Sequence, residues 1–96
     1  MILKSQAALY PDNAGLLNNL GIAYKKTNRL KEAVVMFEKA IKQDKSYNKA
    51  RLNLAGVLIL QQKNSEAIRH LEYIVKNARN TDEASAAKRI LNDILD

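Results

Sequence analysis

The residues from Leu16 to Asp44 read LLNNLGIAYKKTNRLKEAVVMFEKAIKQD, and this stretch decides the fold. On either side of Thr27 and Asn28, apolar residues recur every three or four positions, which is the spacing of one face of an α-helix. The first set is Leu16, Leu17, Leu20, Ala23 and Tyr24, and the second is Leu30, Ala33, Val34, Phe37, Ala40 and Ile41. The stretch therefore predicts two amphipathic helices, and their short connection predicts that they are antiparallel.

The chain repeats itself at a spacing of 34 residues. This shift places Asn19 on Asn53, and it places the Glu-Ala-Val of residues 32–34 on the Glu-Ala-Ile of residues 66–68. The same shift backward puts Leu3 on Phe37, whereas toward the C-terminus a shift of 37 overlays residues 87, 91 and 95 on residues 50, 54 and 58. Each unit is a pair of helices, A then B. One pair cannot bury its apolar faces alone, so the units are expected to stack.

The repeat predicts an all-α protein, an α-α superhelix of six antiparallel helices in a single domain, 1–96. The helices are expected near residues 2–10, 14–27, 30–43, 48–62, 65–78 and 81–95. They divide the chain into the B helix of a preceding half repeat (1–13), two full repeats (14–47 and 48–80) and a C-terminal capping helix (81–96). Because the half repeat lacks its A helix, we expect a fragment of a longer array.

The composition excludes most catalytic and metal chemistry. The 96 residues include no cysteine and a single histidine, His70, so the sequence offers no thiolate, no disulfide and little material for a catalytic triad. It contains no glycine-rich phosphate-binding motif and no H-E-x-x-H motif. We therefore expect a non-enzymatic protein without a cofactor, in which His70 is an exposed residue of a B helix.

Small residues recur where the two helices of a unit must approach each other closely. Gly21 lies inside a predicted helix, where glycine costs about 1 kcal/mol relative to alanine, and the repeat places Ala55 at the same position. We expect Gly21 to contact Ala33 across the helix pair, and Ala55 to contact Ala67 in the second copy.

These residues resemble the signature of the tetratricopeptide repeat. The large apolar residue of the signature corresponds to Leu17, its Leu-Gly pair to Leu20 and Gly21, and its tyrosine to Tyr24. Its aromatic residue corresponds to Phe37, and its two alanines to Ala33 and Ala40. Residues 48–76 form a looser copy that departs from the signature at Arg51, Ala55, Leu58 and Ile74. The resemblance implies that the A helices line a concave groove and that the protein is a scaffold for peptide or protein segments.

The groove that this resemblance implies is lined by polar, basic and apolar residues of the A helices. They are Asn18, Asn19, Ile22, Lys25 and Lys26 in the first repeat, and Lys49, Leu52, Asn53, Gly56 and Ile59 in the second. Asn19 and Asn53 recur as a ladder, whose amides either pair with the backbone of a bound peptide or bridge adjacent A helices. The apolar members, Ile22, Leu52 and Ile59, predict a trough beside the ladder.

Positive charge near the groove favours a ligand of acidic character. The residues that supply it are Lys25, Lys26, Lys49 and Arg51. Some tetratricopeptide repeats grip a C-terminal carboxylate with a two-carboxylate clamp. This sequence matches that clamp only at Asn19, Asn53 and Lys49, which argues against such a ligand.

Two other functions remain as alternatives. The net charge of +6 suggests nucleic-acid binding as one alternative. Against it, the predicted groove lacks aromatic residues on which bases could stack, and the basic residues are scattered over the surface. Self-assembly through the unfinished N-terminal edge, residues 1–10 with Leu16 and Leu17, would give a weak homo-oligomer. Because the sequence shows no signal peptide and no membrane span, a cytoplasmic location without a membrane partner is expected.

Overall fold

The computed structural model describes residues 13–95, which form five α-helices and no strand. The helices are α1 (Ala14–Lys26), α2 (Leu30–Gln43), α3 (Asn48–Leu60), α4 (Asn64–Asn77) and α5 (Asp82–Leu95). The expectation of an all-helical chain is confirmed for this part. The sixth expected helix, near residues 2–10, lies outside the described residues.

Each helix packs against the next one in the chain, and the helices form two layers. In one layer, here called the A layer, α1 contacts α3 and α3 contacts α5. The other layer, the B layer, consists of α2 and α4, whose α carbons do not approach within 8 Å of each other. The helices of the A layer therefore lie closer together than those of the B layer.

The 34-residue repeat is also present in the backbone of the turns. Asn28 and Gln62, which are 34 residues apart, both adopt the left-handed conformation, with φ of 62° and 64°. The backbone N–H of Arg29 donates to the carbonyl of Tyr24 at 2.8 Å, and that of Lys63 donates to the carbonyl of Leu58 at 2.8 Å. These bonds use carbonyls that the helix end leaves without partners, and the left-handed residue makes the geometry possible.

The core lies between the two layers and is continuous along the stack. Its largest fully buried side chains are Phe37, Leu54, Val57, Leu58, Leu71 and Ile74. The buried residues from Leu17 on α1 to Ala87 on α5 form one cluster that runs through both repeats, as expected of units that stack to bury their apolar faces.

Gly21 packs against Phe37, a contact that the sequence did not predict. A Cβ added at Gly21 would lie 2.6 Å from Cδ1 and 2.8 Å from Cζ of Phe37, distances that real Cβ atoms do not adopt. The ring occupies the space that a side chain would fill, so the aromatic residue requires a glycine here. In the second copy the equivalent residues are Ala55 and Leu71, both fully buried. There alanine replaces the smaller glycine of the A helix, and leucine replaces the larger phenylalanine of the B helix.

Candidate functional site

Asn53 joins the first two helices of the A layer. Its Nδ2 donates a hydrogen bond to Oδ1 of Asn18 at 2.9 Å, from α3 to α1. Asn18 was expected on the groove surface, but it is only 4% exposed and its side chain serves this contact between helices. Asn19, the repeat mate of Asn53, is exposed. Of the two roles considered for the ladder, the structure shows the bridging of adjacent A helices by Asn53, with Asn18 as the partner.

Beside this hydrogen bond lie three half-buried apolar residues of the A layer. Ile22 on α1, and Leu52 and Ile59 on α3, all pack against the core while part of each side chain stays in contact with solvent. Leu52, Gly56 and Ile59 are spaced by four and three residues, so they form one line along α3.

The ammonium group of Lys25 reaches from α1 toward α3. Apart from the neighbouring residues and backbone of its own helix, a Cβ added at Gly56 would meet only Nζ of Lys25, at 3.8 Å. The absence of a side chain at Gly56 therefore leaves an open floor with a positive charge at its edge. Lys26 and Lys49, the other two lysines expected at the groove, are exposed.

Arg51 contributes no charge to this surface, contrary to the expectation. It is only 8% exposed, and its guanidinium lies 3.7 Å from the centre of the Tyr73 ring. Its Nε and Nη2 donate to the backbone carbonyl of Lys45 at 3.3 and 3.2 Å. The reason is its place in the repeat, since Arg51 is the equivalent of Leu17, which is also buried. A position that belongs to the interior therefore carries an arginine.

His70 is half-buried rather than exposed, because it lies beside this arginine. Nη1 of Arg51 is 3.4 Å from Nδ1 of His70. Burial lowers the pKa of His70 below its usual 6.5, the charges of Arg51 and Arg69 lower this pKa further, and Glu66 opposes them. The neutral imidazole can accept a hydrogen bond from the guanidinium at Nδ1, and the protonated ring cannot.

The part of the chain that the structure describes contains no group of three or more His, Cys, Asp or Glu side chains able to hold a metal ion. Nor does any helix within residues 13–95 combine the length and the apolar character that crossing a membrane requires.

A comparison with protein-family models finds one that is described as tetratricopeptide repeat and matches residues 28–91, two thirds of the chain. No curated protein matches the chain. The matched region extends from the turn after α1 into α5, so it contains the second repeat together with the helices that flank it. The stacked helix pairs, the repeated turns and this match lead to one conclusion, that the chain belongs to the tetratricopeptide repeat family.

Proposed function

We propose that this chain is a non-enzymatic scaffold that binds an extended, acidic segment of a protein partner along the A layer. Tetratricopeptide repeats in general mediate protein–protein interaction and are a non-catalytic fold. The finer proposal concerns where the partner binds and which chemistry it presents.

The relative spacing of the two layers supports a groove on the A side. Helices α1, α3 and α5 touch in series, whereas α2 and α4 do not approach each other. An array whose helices are closer together on one side curves toward that side. The proposed architecture is therefore a right-handed superhelix of the repeats 14–47 and 48–80, with the A layer on its concave face.

The observation that carries the proposal is the surface around Gly56. Lys25 places its ammonium beside an open floor, and Leu52 and Ile59 flank that floor with partly exposed apolar surface. This arrangement suits a ligand that presents an apolar side chain next to a carboxylate. Lys26 and Lys49 extend the positive potential to both neighbouring helices of the A layer, which favours acidic residues on either side of the apolar one.

The asparagines have separate tasks in this proposal. Asn53 fixes the register of α3 against α1 through Asn18. An amide group has two N–H donors and an acceptor oxygen, so Asn53 keeps further hydrogen-bonding capacity after this bond is made. Asn19 is exposed, and we assign to it the pairing with the backbone of the bound segment.

The experiment compares two labelled nonapeptides by fluorescence anisotropy, one with a central leucine flanked by glutamates and one with the same leucine flanked by lysines. We expect only the acidic peptide to bind. Gly56→Leu fills the floor and should weaken binding at least tenfold, and Lys25→Glu should weaken it similarly. Lys39→Glu makes the same charge change on an exposed residue of α2 in the B layer and is the matched control.

Equal binding of both peptides, or an equal effect of Lys25→Glu and Lys39→Glu, would contradict the proposed groove. A salt titration with random RNA and DNA tests the nucleic-acid alternative, because phosphate contacts make such binding fall steeply with salt. Tight, salt-sensitive binding of nucleic acid would replace the proposal.

A further inference from the structure

A buried positive charge lies away from the groove, in the second repeat. Arg51 is only 8% exposed, although a guanidinium keeps its charge at every pH near neutral. Its N–H groups donate to the backbone carbonyl of Lys45 and face Nδ1 of His70, and its Cζ lies 3.7 Å from the centre of the Tyr73 ring. Within residues 13–95, no aspartate or glutamate is among the hydrogen-bond partners of this guanidinium. Because the pKa of His70 lies below 6.5, all of these partners are neutral at pH 7.

A buried charge without a counter-ion is unfavourable. Removing a guanidinium from water costs free energy that hydrogen bonds to neutral groups recover only in part. The repeat shows that the fold does not need a charge at this position, because the equivalent residue of the first copy is Leu17, which is 5% exposed. An arginine at an interior position therefore points to a ligand that supplies the missing negative charge.

The guanidinium of Arg51 also keeps unused hydrogen-bond donors. It has five N–H groups, of which Nε and one N–H of Nη2 donate to Lys45, and one N–H of Nη1 faces His70. One N–H on each of Nη1 and Nη2 has no acceptor among residues 13–95. Guanidinium groups bind carboxylates and phosphates through two N–H groups at once, so the remaining pair matches two oxygens of a single oxyanion.

This guanidinium lies at one end of the gap between the two B helices. Lys45 belongs to the loop after α2, His70 and Tyr73 belong to α4, and Arg51 itself comes from α3. Helices α2 and α4 have no α carbons within 8 Å of each other. Because His70 and Tyr73 are half-buried, the guanidinium lies one side chain beneath the surface. The proposed groove belongs to the A layer, so this position is separate from it.

We propose that Arg51 is the centre of a binding site for one oxyanion, the carboxylate or phosphate group of a ligand. Tyr73 supports one face of the guanidinium, and the carbonyl of Lys45 and the ring of His70 fix its orientation. The two remaining N–H groups are therefore held in place before the ligand binds. A single contact of this kind binds a free anion weakly, with a dissociation constant on the order of 1–10 mM. The site stands independently of the peptide-binding function.

The test follows the backbone amide signals of His70 and Tyr73 by NMR while an anion is added to the full chain. One titration uses sodium phosphate, and the other uses the α-amide of N-acetylglutamate, whose side-chain carboxylate is its only charge. Sodium chloride at the same ionic strength gives the general effect of salt. We expect an oxyanion to shift both signals along a saturating curve, and chloride to leave them nearly unchanged.

Two substitutions at Arg51 separate its charge from its shape. Arg51→Lys keeps the charge and loses the planar fork, so binding should weaken at least about tenfold. Arg51→Leu carries the residue type of the first copy and should abolish saturation. Arg69→Leu is the matched control, because it removes the same charge from an exposed residue of α4, and it should weaken binding less than about threefold. Lys25→Glu, in the proposed groove, should leave binding unchanged.

The relative affinity of the two oxyanions identifies the source of the ligand. Tighter binding of phosphate indicates a phosphate group, and tighter binding of the N-acetylglutamate amide indicates an acidic side chain of a protein partner. Three results would overturn the proposal. They are shifts that stay linear with both oxyanions, equal effects of Arg51→Leu and Arg69→Leu, and undiminished binding by Arg51→Lys.

Discussion

Nη1 of Arg51 lies 3.4 Å from Nδ1 of His70, and this contact joins the second A helix to its B helix. The guanidinium also stacks on Tyr73 and donates to the backbone of the preceding turn at Lys45. A single buried arginine thus connects α3, α4 and the loop after α2. Its neighbour is the one residue of the chain whose ordinary pKa lies near neutral pH.

The stability of the fold should therefore fall in mild acid. The pKa of His70 is lower in the folded chain than its usual 6.5, so below pH 6.5 the unfolded chain binds the proton more readily. The stabilisation is complete above pH 6.5 and is lost as the pH falls from there to the folded pKa. Urea unfolding at pH 7.5, 6.5 and 5.5 should show a midpoint that decreases stepwise. In His70→Gln, which cannot be protonated, the same range should show a flat midpoint, and an unchanged slope in this variant would contradict the assignment.

Replacing Arg51 should separate its packing from its charge. Arg51→Leu restores the residue type found at Leu17 and keeps most of the volume, so we expect a stability within about 1 kcal/mol of the original, or higher. Arg51→Ala loses the stem and the stacking on Tyr73 and should destabilise by about 1–3 kcal/mol. Chemical denaturation of both variants makes the comparison. Equal destabilisation by the two would mean that the hydrogen bonds dominate over packing.

The Gly21 and Phe37 pair should be exchangeable for the pair of the second copy. Gly21→Ala forces a Cβ into the Phe37 ring and should cost about 1–3 kcal/mol by overpacking. Phe37→Leu alone leaves a cavity and should cost a similar amount. The double variant reproduces Ala55 with Leu71 and should recover most of the loss, which thermal melts would show as a non-additive cycle.

Gly56→Ala is the control for this cycle. A Cβ at Gly56 meets only Nζ of Lys25, at an ordinary 3.8 Å. The substitution should therefore stabilise the chain by up to about 1 kcal/mol through helix propensity. Destabilisation at Gly56 as large as at Gly21 would remove the Phe37 ring as the explanation.

One substitution in the turn after α3 should increase the stability of the fold. Gln62 adopts the left-handed conformation with φ of 64°, which is unfavourable for a residue with a long side chain and without strain for glycine. Gln62→Gly should raise the free energy of unfolding by about 0.5–1 kcal/mol. Asn28→Gly, at the equivalent turn, should change it less, because asparagine tolerates this conformation. Differential scanning calorimetry of the two variants checks the order.

Within residues 13–95, the sequence by itself determined the helices and their order. Expected boundaries of 30–43, 48–62 and 65–78 correspond to Leu30–Gln43, Asn48–Leu60 and Asn64–Asn77, because helical periodicity and turn residues are local properties. The 34-residue shift was also sufficient to predict the family, since the small, apolar and aromatic positions of a stacked pair recur with the unit.

Only the tertiary structure decided which side chains meet. From the sequence, Arg51 was expected among the positive charges near the groove, but in the structure it is buried against Tyr73 and His70. The helical pattern indicated that Asn53 faces the neighbouring A helix or the groove. That its hydrogen-bond partner is Asn18 depends on the axial offset between α1 and α3. The contact between Gly21 and Phe37 likewise depends on the axial offset between α1 and α2. Periodicity defines a face to within a turn, whereas a contact depends on the axial shift between two packed helices, which is set by the whole core at once.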